Sequence, residues 1–213
     1  MSFDTVCFDC DSTLSRVEGI DELARRNGMF ERVAELTNAA MNGELALEEV
    51  YENRLALIKP DKASVDWLAQ LYIDEVVPGA RDTIAKLQQQ HKQVHIISGG
   101  LRQAILPLAE FLGVPSQQVH AVDIELSEEG AYLGYAKASP LAYSGGKAKV
   151  CKQIIDGNGV LAMVGDGKTD LEAKQAGATV IGFGGVVARD AVKAQADYFV
   201  AGPDLTAVLA YLL

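Results

Sequence analysis

VLAMVGDGKTDLEAKQAGATVIGF, residues 160–183, decides the architecture. VLAMVG (160–165) reads as a buried strand and TVIGF (179–183) as another. Between them, residues 169–176 read as a helix stopped by Gly177. Short apolar strands joined through a helix imply a parallel sheet, because a parallel pair needs a crossover to connect it.

The same alternation extends outward. Residues 147–156 read as a helix. VHIIS (94–98) reads as a strand between helices at 79–90, with Ala80, Thr83, Ile84 and Leu87 on one face, and at 100–112, closed by Gly113. Residues 119–135 read as two short strands around Glu128-Glu129-Gly130. FDTVCFD (3–9) reads as a short buried strand ending at Asp9. Pro203 stands where an N1 proline would start the last helix, with Leu205, Val208, Leu209 and Leu212 on one face. The expected fold is α/β, a Rossmann-like parallel sheet with helices on both faces.

From about 16 to 76 the pattern is purely helical, with Ile20, Leu23, Ala24 and then Leu45, Val50, Leu55, Leu57 at helical spacing. This stretch holds 7 basic and 13 acidic residues, so it is net −6. It is expected to be a small helical cap inserted after strand 1. The division is 1–15 and 77–213 for the core and 16–76 for the cap.

Composition narrows the partners. The chain has 213 residues, 49% hydrophobic, enough for a real core. With 19 Lys+Arg against 29 Asp+Glu, the formal charge is 19 − 29 = −10. That argues against nucleic acid, whose binders need a basic surface, and against anionic membranes. No apolar run reaches the ~18 residues of a membrane-spanning helix. MSFDTVCFDC does not read as a signal peptide. Three cysteines, Cys7, Cys10 and Cys151, read as free thiols in a reducing compartment, and a cytoplasmic location is expected. Oligomeric state stays open between monomer and homodimer.

Ligands of open parallel sheets bind beyond the carboxyl ends of the strands. The polar residues there are Asp9, Asp11, Ser12 and Thr13, then Ser98-Gly99-Gly100, then Asp166, Lys168, Thr169 and Asp170; Lys147 opens the helix before that last strand. Three carboxyl groups, Asp9, Asp11 and Asp166, crowded together call for a cation, and hard oxygen donors suit Mg²⁺. Ser98, Lys147 and nearby backbone N–H groups can hold an anion. Carboxylates, a hard cation and anion donors together fit phosphoryl transfer.

FDCDSTL (8–14), IISGG (96–100), Lys147 and VGDGKTD (164–170) resemble, in order and in spacing, the four motifs of the haloacid-dehalogenase-type phosphatases. The resemblance covers essentially the whole chain, with the helical insert where that family carries a small cap. It implies a haloacid-dehalogenase-like core and these roles. Asp9 is the nucleophile and a Mg²⁺ ligand. Asp11 is general acid, then base, and binds the metal through its backbone carbonyl. Asp166 completes the metal site. Ser98, Gly99, Lys147 and Thr169 surround the phosphoryl group, and Asp170 orients Lys147 or a metal-bound water.

Within the cap, DSTLSRVEGIDELA (11–24) and MNGELALEEVYENR (41–54) resemble the phosphoserine phosphatase branch. The implied substrate is a small phosphate ester, L-phosphoserine, with its ammonium at Glu18 and its carboxylate at Arg54, a residue suited to bidentate carboxylate recognition. Met41 is expected to face the substrate. The branch usually has an aromatic residue where Leu47 stands here, which reshapes the pocket wall. Two alternatives stay open: a phosphatase for another small ester, and a phosphotransferase to a small alcohol.

Overall fold

The computed structural model describes residues 3–41, 47–155 and 159–213, with the side chains of 37–41 and 47 outside the described set. Its strands are β1 (Thr5–Phe8), β2 (Gln93–Leu101), β3 (Val119–Val122), β4 (Ile124–Leu126), β5 (Tyr132–Tyr135), β6 (Leu161–Gly165), β7 (Thr179–Phe183) and β8 (Tyr198–Val200). Six of them form a parallel sheet in the order β3-β2-β1-β6-β7-β8. The central strands β1 and β6 are buried at every position, as a sheet covered on both faces requires.

The chain winds outward from β1 to β3 in one direction and from β6 to β8 in the other. Right-handed crossovers therefore send the helices of the two halves to opposite faces. In the first half, α5 (Ala80–Gln89) packs on α6 (Arg102–Leu112). In the second, α7 (Gly146–Ile155) packs on the 3₁₀ turn at Glu172–Ala176 that follows α8 (Lys168–Leu171). The reversal falls between β1 and β6, the strands that lead to Asp9 and Asp166.

The cap comprises α1 (Gly19–Arg26), α2 (Phe30–Met41), α3 (Leu47–Ile58) and α4 (Lys62–Asp74). Val50 and Leu55 are buried, Leu57 is half-buried, and Leu45 lies outside the described residues. The Asp61 carboxylate caps α4 by accepting from Ser64 N at 2.8 Å. Val65, Leu68, Ala69 and Tyr72 of α4 join the same apolar cluster as Ala104, Ile105 and Leu108 of α6, so α4 is the footing of the cap on the core. The two chain crossings between cap and core run side by side. Arg16 N donates to Glu75 O at 2.8 Å, and Val77 N to Leu14 O at 2.9 Å.

Several expectations are corrected. Residues 119–135 hold three strands, not two. Val119–Val122 pairs with β2 as the edge of the main sheet, and only β4 and β5 make the antiparallel hairpin. That hairpin reaches the cap, where Lys62 N donates to Gly130 O at 2.8 Å. The strand expected at 94–98 runs on to Leu101. The helix expected at 169–176 is α8 followed by a 3₁₀ turn. The last segment is a 3₁₀ turn, Leu205–Val208, and then α10 (Leu209–Leu212). Asp204 caps it instead of Pro203 starting it, with its carboxylate accepting from Thr206 N at 2.8 Å. The helix α9 (Asp190–Gln195) and the three-residue β8 were not anticipated. Cys7, Cys10 and Cys151 are free and buried. Among the described residues, no helix is long and apolar enough to cross a membrane.

One partly buried pair ties stability to pH. His95 on β2 and His120 on β3 stack at 5.3 Å between ring centroids, with His95 Nδ1 and His120 Nε2 3.0 Å apart. One ring must donate and the other accept, so the accepting ring is neutral. Burial, then the neighbouring His120, lowers the His95 pKa to about 4; burial, then Arg102, lowers that of His120. Unfolded histidine titrates near 6.5, so the unfolded chain takes up protons first as pH falls. The contribution is complete above about pH 6.5 and is lost as pH falls toward about 4. Urea titrations of wild type and His95→Leu across that range should show a shallower pH dependence in the variant. The difference should be on the order of 1–2 kcal/mol, after allowance for water reaching the partly exposed pair. Parallel curves would remove the histidine pair from this role.

Candidate active site

Phe8, the last residue of β1, pairs with Ile96 on one side and Val164 on the other. The next residue, Asp9, donates its N–H to Val164 O at 2.9 Å. Asp9 to Asp11 and Asp166 therefore emerge together at the carboxyl ends of β1 and β6, at the reversal of the sheet, with Ser98 on the adjacent β2, two residues past the partner of Phe8. Ser98 is 1% exposed and Gly99 half-buried.

Lys147, in the first turn of α7, is 5% exposed. Its Nζ lies 2.7 Å from Asp9 Oδ2 and 2.6 Å from Asp170 Oδ1. Burial works against its charge, but the carboxylates of Asp170 and Asp9 outweigh it and hold its pKa above the ordinary lysine value. Asp170 is anchored from behind, accepting from Gly167 N at 2.8 Å. Gly165 leaves the room for this carboxyl, since a Cβ there would lie 2.2 Å from Asp170 Cγ. Asp9 Oδ1 accepts from Cys10 N at 2.7 Å, so both of its oxygens are fixed.

Asp11 faces the other way, toward the cap. Its Oδ1 accepts from the Tyr72 hydroxyl at 2.5 Å and its Oδ2 from Gly19 N at 3.3 Å. Burial, then the charge of Glu18, pushes its carboxyl well above the usual range, against the Tyr72 hydrogen bond. Two carboxyl groups two residues apart thus have opposite environments: Asp9 meets a buried cation, and Asp11 meets burial and another acid. Such a split separates a nucleophile from an acid–base group.

Glu18 precedes α1 and accepts from Ser12 Oγ at 2.7 Å and from an Arg189 terminal nitrogen at 3.3 Å. Arg189 Nε also donates to Asp166 Oδ2 at 3.0 Å, and Thr13 Oγ1 donates to Asp166 Oδ1 at 3.3 Å. Burial, then Asp9, raises the Asp166 pKa to about 6, with Arg189 pulling the other way.

Asp9, Asp166 and Asp170 each offer an oxygen within 4.8 Å of the others. Crowded carboxylates of this kind fit a hard divalent cation. All three carboxylates already have polar partners; Asp170 is the innermost, wholly buried behind Lys147, so Asp9 and Asp166, nearer the mouth, are the pair that would hold the ion. The Asp11 carboxylate is turned away from this cluster.

Arg54, on α3, is half-buried, but its Nε is buried and has no hydrogen-bond partner among the described residues. Burial lowers its pKa, while Asp21, Tyr51, Glu18 and Asp11 favour its charge. Thr169 is half-buried in α8 beside Asp170. The side chains of Met41 and Leu47 lie outside the described residues.

Three residues escaped the sequence reading. Arg189 could have been found as the first charged residue after the loop leaving β7, which opens onto the same mouth. Tyr72 and Tyr51 carried no signal beyond lying on apolar helix faces; the Tyr51 hydroxyl donates to Gly99 O at 3.0 Å. Arg189 competes with a metal ion for Asp166, so Arg189→Gln should tighten Mg²⁺ binding about three- to tenfold by calorimetry, an exposed charge effect of modest size. Weakened binding would show that Arg189 supports the metal site instead.

The family model for haloacid dehalogenase-like hydrolases matches residues 6–174. The chain is 40% identical over 201 residues to the phosphoserine phosphatase of Bos taurus, covering 93% of this chain and 89% of that one. It is 40% identical over 203 residues to the chloroplastic phosphoserine phosphatase of Arabidopsis thaliana, covering 93% and 69%. A solved substrate-bound phosphoserine phosphatase complex superposes with a TM-score of 0.82 at 27% identity, covering 100% of both chains. With the carboxylates and the lysine gathered at the sheet reversal, these matches establish that the chain belongs to the haloacid dehalogenase-like hydrolases.

Proposed function

We propose that the protein hydrolyses L-phosphoserine to L-serine and phosphate through a phosphoryl group carried on Asp9. The observation that carries the substrate choice is Arg54, a half-buried guanidinium in the cap whose buried Nε has no partner among the described residues, set near Glu18, Asp21 and Asp11. A half-buried cation of this kind wants an anion, and a ligand carboxylate suits its planar fork. Glu18, now shared between Ser12 and Arg189, is available to an ammonium group. An anion and a cation read by the cap, above a phosphoryl site in the core, describe a phosphorylated amino acid. The phosphoserine phosphatases of Bos taurus and Arabidopsis thaliana support the same reading.

Asp9 attacks phosphorus in line with the departing serine oxygen, and that oxygen takes the proton held by Asp11. The P–O bond to serine breaks as the bond to Asp9 forms. Asp11, now ionised, accepts a proton from water as the water attacks the same phosphorus and releases Asp9. Ser98 and Lys147 hold the phosphoryl oxygens. Asp9 and Asp166 would hold a Mg²⁺ ion, whose positive charge would offset the repulsion between the carboxylates and the phosphoryl group. Residues 16–76 act as the cap that excludes bulk water during the first step. A cytoplasmic setting suits three reduced cysteines.

The test is phosphate release with Mg²⁺ from L-phosphoserine, D-phosphoserine, phosphothreonine, glycerol phosphate and p-nitrophenyl phosphate, for wild type and Arg54→Ala. The wild type should prefer L-phosphoserine. Arg54→Ala should lower kcat/KM for it about ten- to a hundredfold, the range for losing a charged hydrogen bond, and leave p-nitrophenyl phosphate nearly unchanged. Equal activity across the panel, insensitive to Arg54, would discard the serine assignment. Phosphate transferred to added serine in place of release would favour a phosphotransferase.

A further inference from the structure

We infer that Tyr51 is a positioning residue that fixes the hydroxyl of Ser98 through the peptide between Gly99 and Gly100. This rests on the reading of Ser98 as a phosphoryl-group donor, not on the identity of the ester. The chain of contacts is short. The Tyr51 hydroxyl donates to Gly99 O at 3.0 Å. Gly100 N donates to Ser98 Oγ at 2.9 Å. The Gly99 carbonyl and the Gly100 N–H belong to one planar peptide unit, so they turn together. With its oxygen accepting from Gly100, Ser98 keeps its own proton for an outside acceptor.

The Gly99–Gly100 peptide needs an external hold. Neither flanking residue has a Cβ, so the plane has little intrinsic stiffness. Side chains are not a substitute: a Cβ on Gly100 would lie 3.1 Å from Ser98 Oγ and 3.1 Å from Ile105 Cδ1. The flexibility that lets the backbone approach the phosphoryl site is what leaves the peptide free to rotate.

Tyr51 is built to supply that hold. It is 5% exposed, and its ring meets Tyr135 of the hairpin edge-on, with centroids 5.2 Å apart at 65°. Burial raises its pKa, so the hydroxyl keeps the proton it donates. Among the described residues, polar ties from α3 to the core also join Glu52 to Lys137 and Glu48 to Ser144 N. Both are exposed and contribute little. The Tyr51 tie is buried. It also stands one helical turn before Arg54, so both lie on one face of α3. The face that would read the substrate carboxylate thus also sets the serine that would hold its phosphoryl group. An α3 displaced from the core would leave Ser98 unaligned.

The experiment is a double-mutant cycle on Tyr51→Phe and Ser98→Ala. Phenylalanine keeps the ring against Tyr135 and removes only the hydroxyl. Turnover of p-nitrophenyl phosphate and L-phosphoserine would be measured with Mg²⁺, together with orthophosphate binding by calorimetry. Tyr51→Phe should lower kcat/KM about three- to tenfold on both esters and weaken orthophosphate by a similar factor. In the Ser98→Ala background it should cause no further loss. Full additivity of the two losses would overturn the inference. So would a loss confined to L-phosphoserine, which would route the effect through Arg54. A protein that ignores L-phosphoserine but cleaves p-nitrophenyl phosphate would sink the substrate reading and leave the cycle readable.

Discussion

Lys147 sits 2.7 Å from Asp9 and 2.6 Å from Asp170, almost wholly out of water. A buried cation is tolerated only with partners, and removing one partner of such a set costs about 3–5 kcal/mol. This constraint binds three distant stretches of chain: the end of β1, the start of α7 and α8. It explains local features that look unrelated. Gly165 must lack a side chain because the Asp170 carboxyl occupies that space. Gly146 must lack one because a Cβ would lie 2.1 Å from Pro140 O, and that close approach seats the start of α7, with Lys147 on it.

The same lysine divides the labour of the two aspartates at the end of β1. Asp9 is held beside a positive charge and Asp11 is not. Asp11 is given instead to the cap side, under Tyr72 and Gly19, where burial and Glu18 favour its protonated form. Tyr72 belongs to α4, the helix that anchors the cap on α6. The acid–base group is therefore set by the footing of the cap, while the nucleophile is set by the core. Arg189 links the halves from a third direction, between Asp166 and Glu18.

Much of this was legible in the sequence. The apolar run at 160–165, the acids that follow it and the helical spacing of 16–76 reflect strong, local signals. That polar strand ends meet on one side followed from the rule for parallel sheets, but the expected crowd of Asp9, Asp11 and Asp166 is instead Asp9, Asp166 and Asp170, because the Asp11 carboxyl turns to Tyr72 and Gly19. What failed was weaker or non-local. β8 is three residues at a sheet edge, too short for a pattern. Val119–Val122 was folded into a hairpin because nothing local distinguishes an edge strand of the main sheet from a hairpin arm. The last helix begins at Asp204 because a side-chain oxygen that satisfies Thr206 N competes better than the preset φ of Pro203. Arg189, Tyr51 and Tyr72 matter through partners far away in sequence, and no spacing rule carries that information.

The central claim is that Lys147 holds and aims Asp9 as the phosphoryl acceptor. The most direct measurement is acid quenching of the enzyme during turnover with L-phosphoserine and Mg²⁺, then mapping of the phosphorylated peptide by mass spectrometry. The expected result is a phosphoryl group on Asp9 that hydroxylamine removes and that is absent in Lys147→Met. A phosphoryl group on another residue, or steady turnover by Asp9→Asn with no adduct, would contradict it.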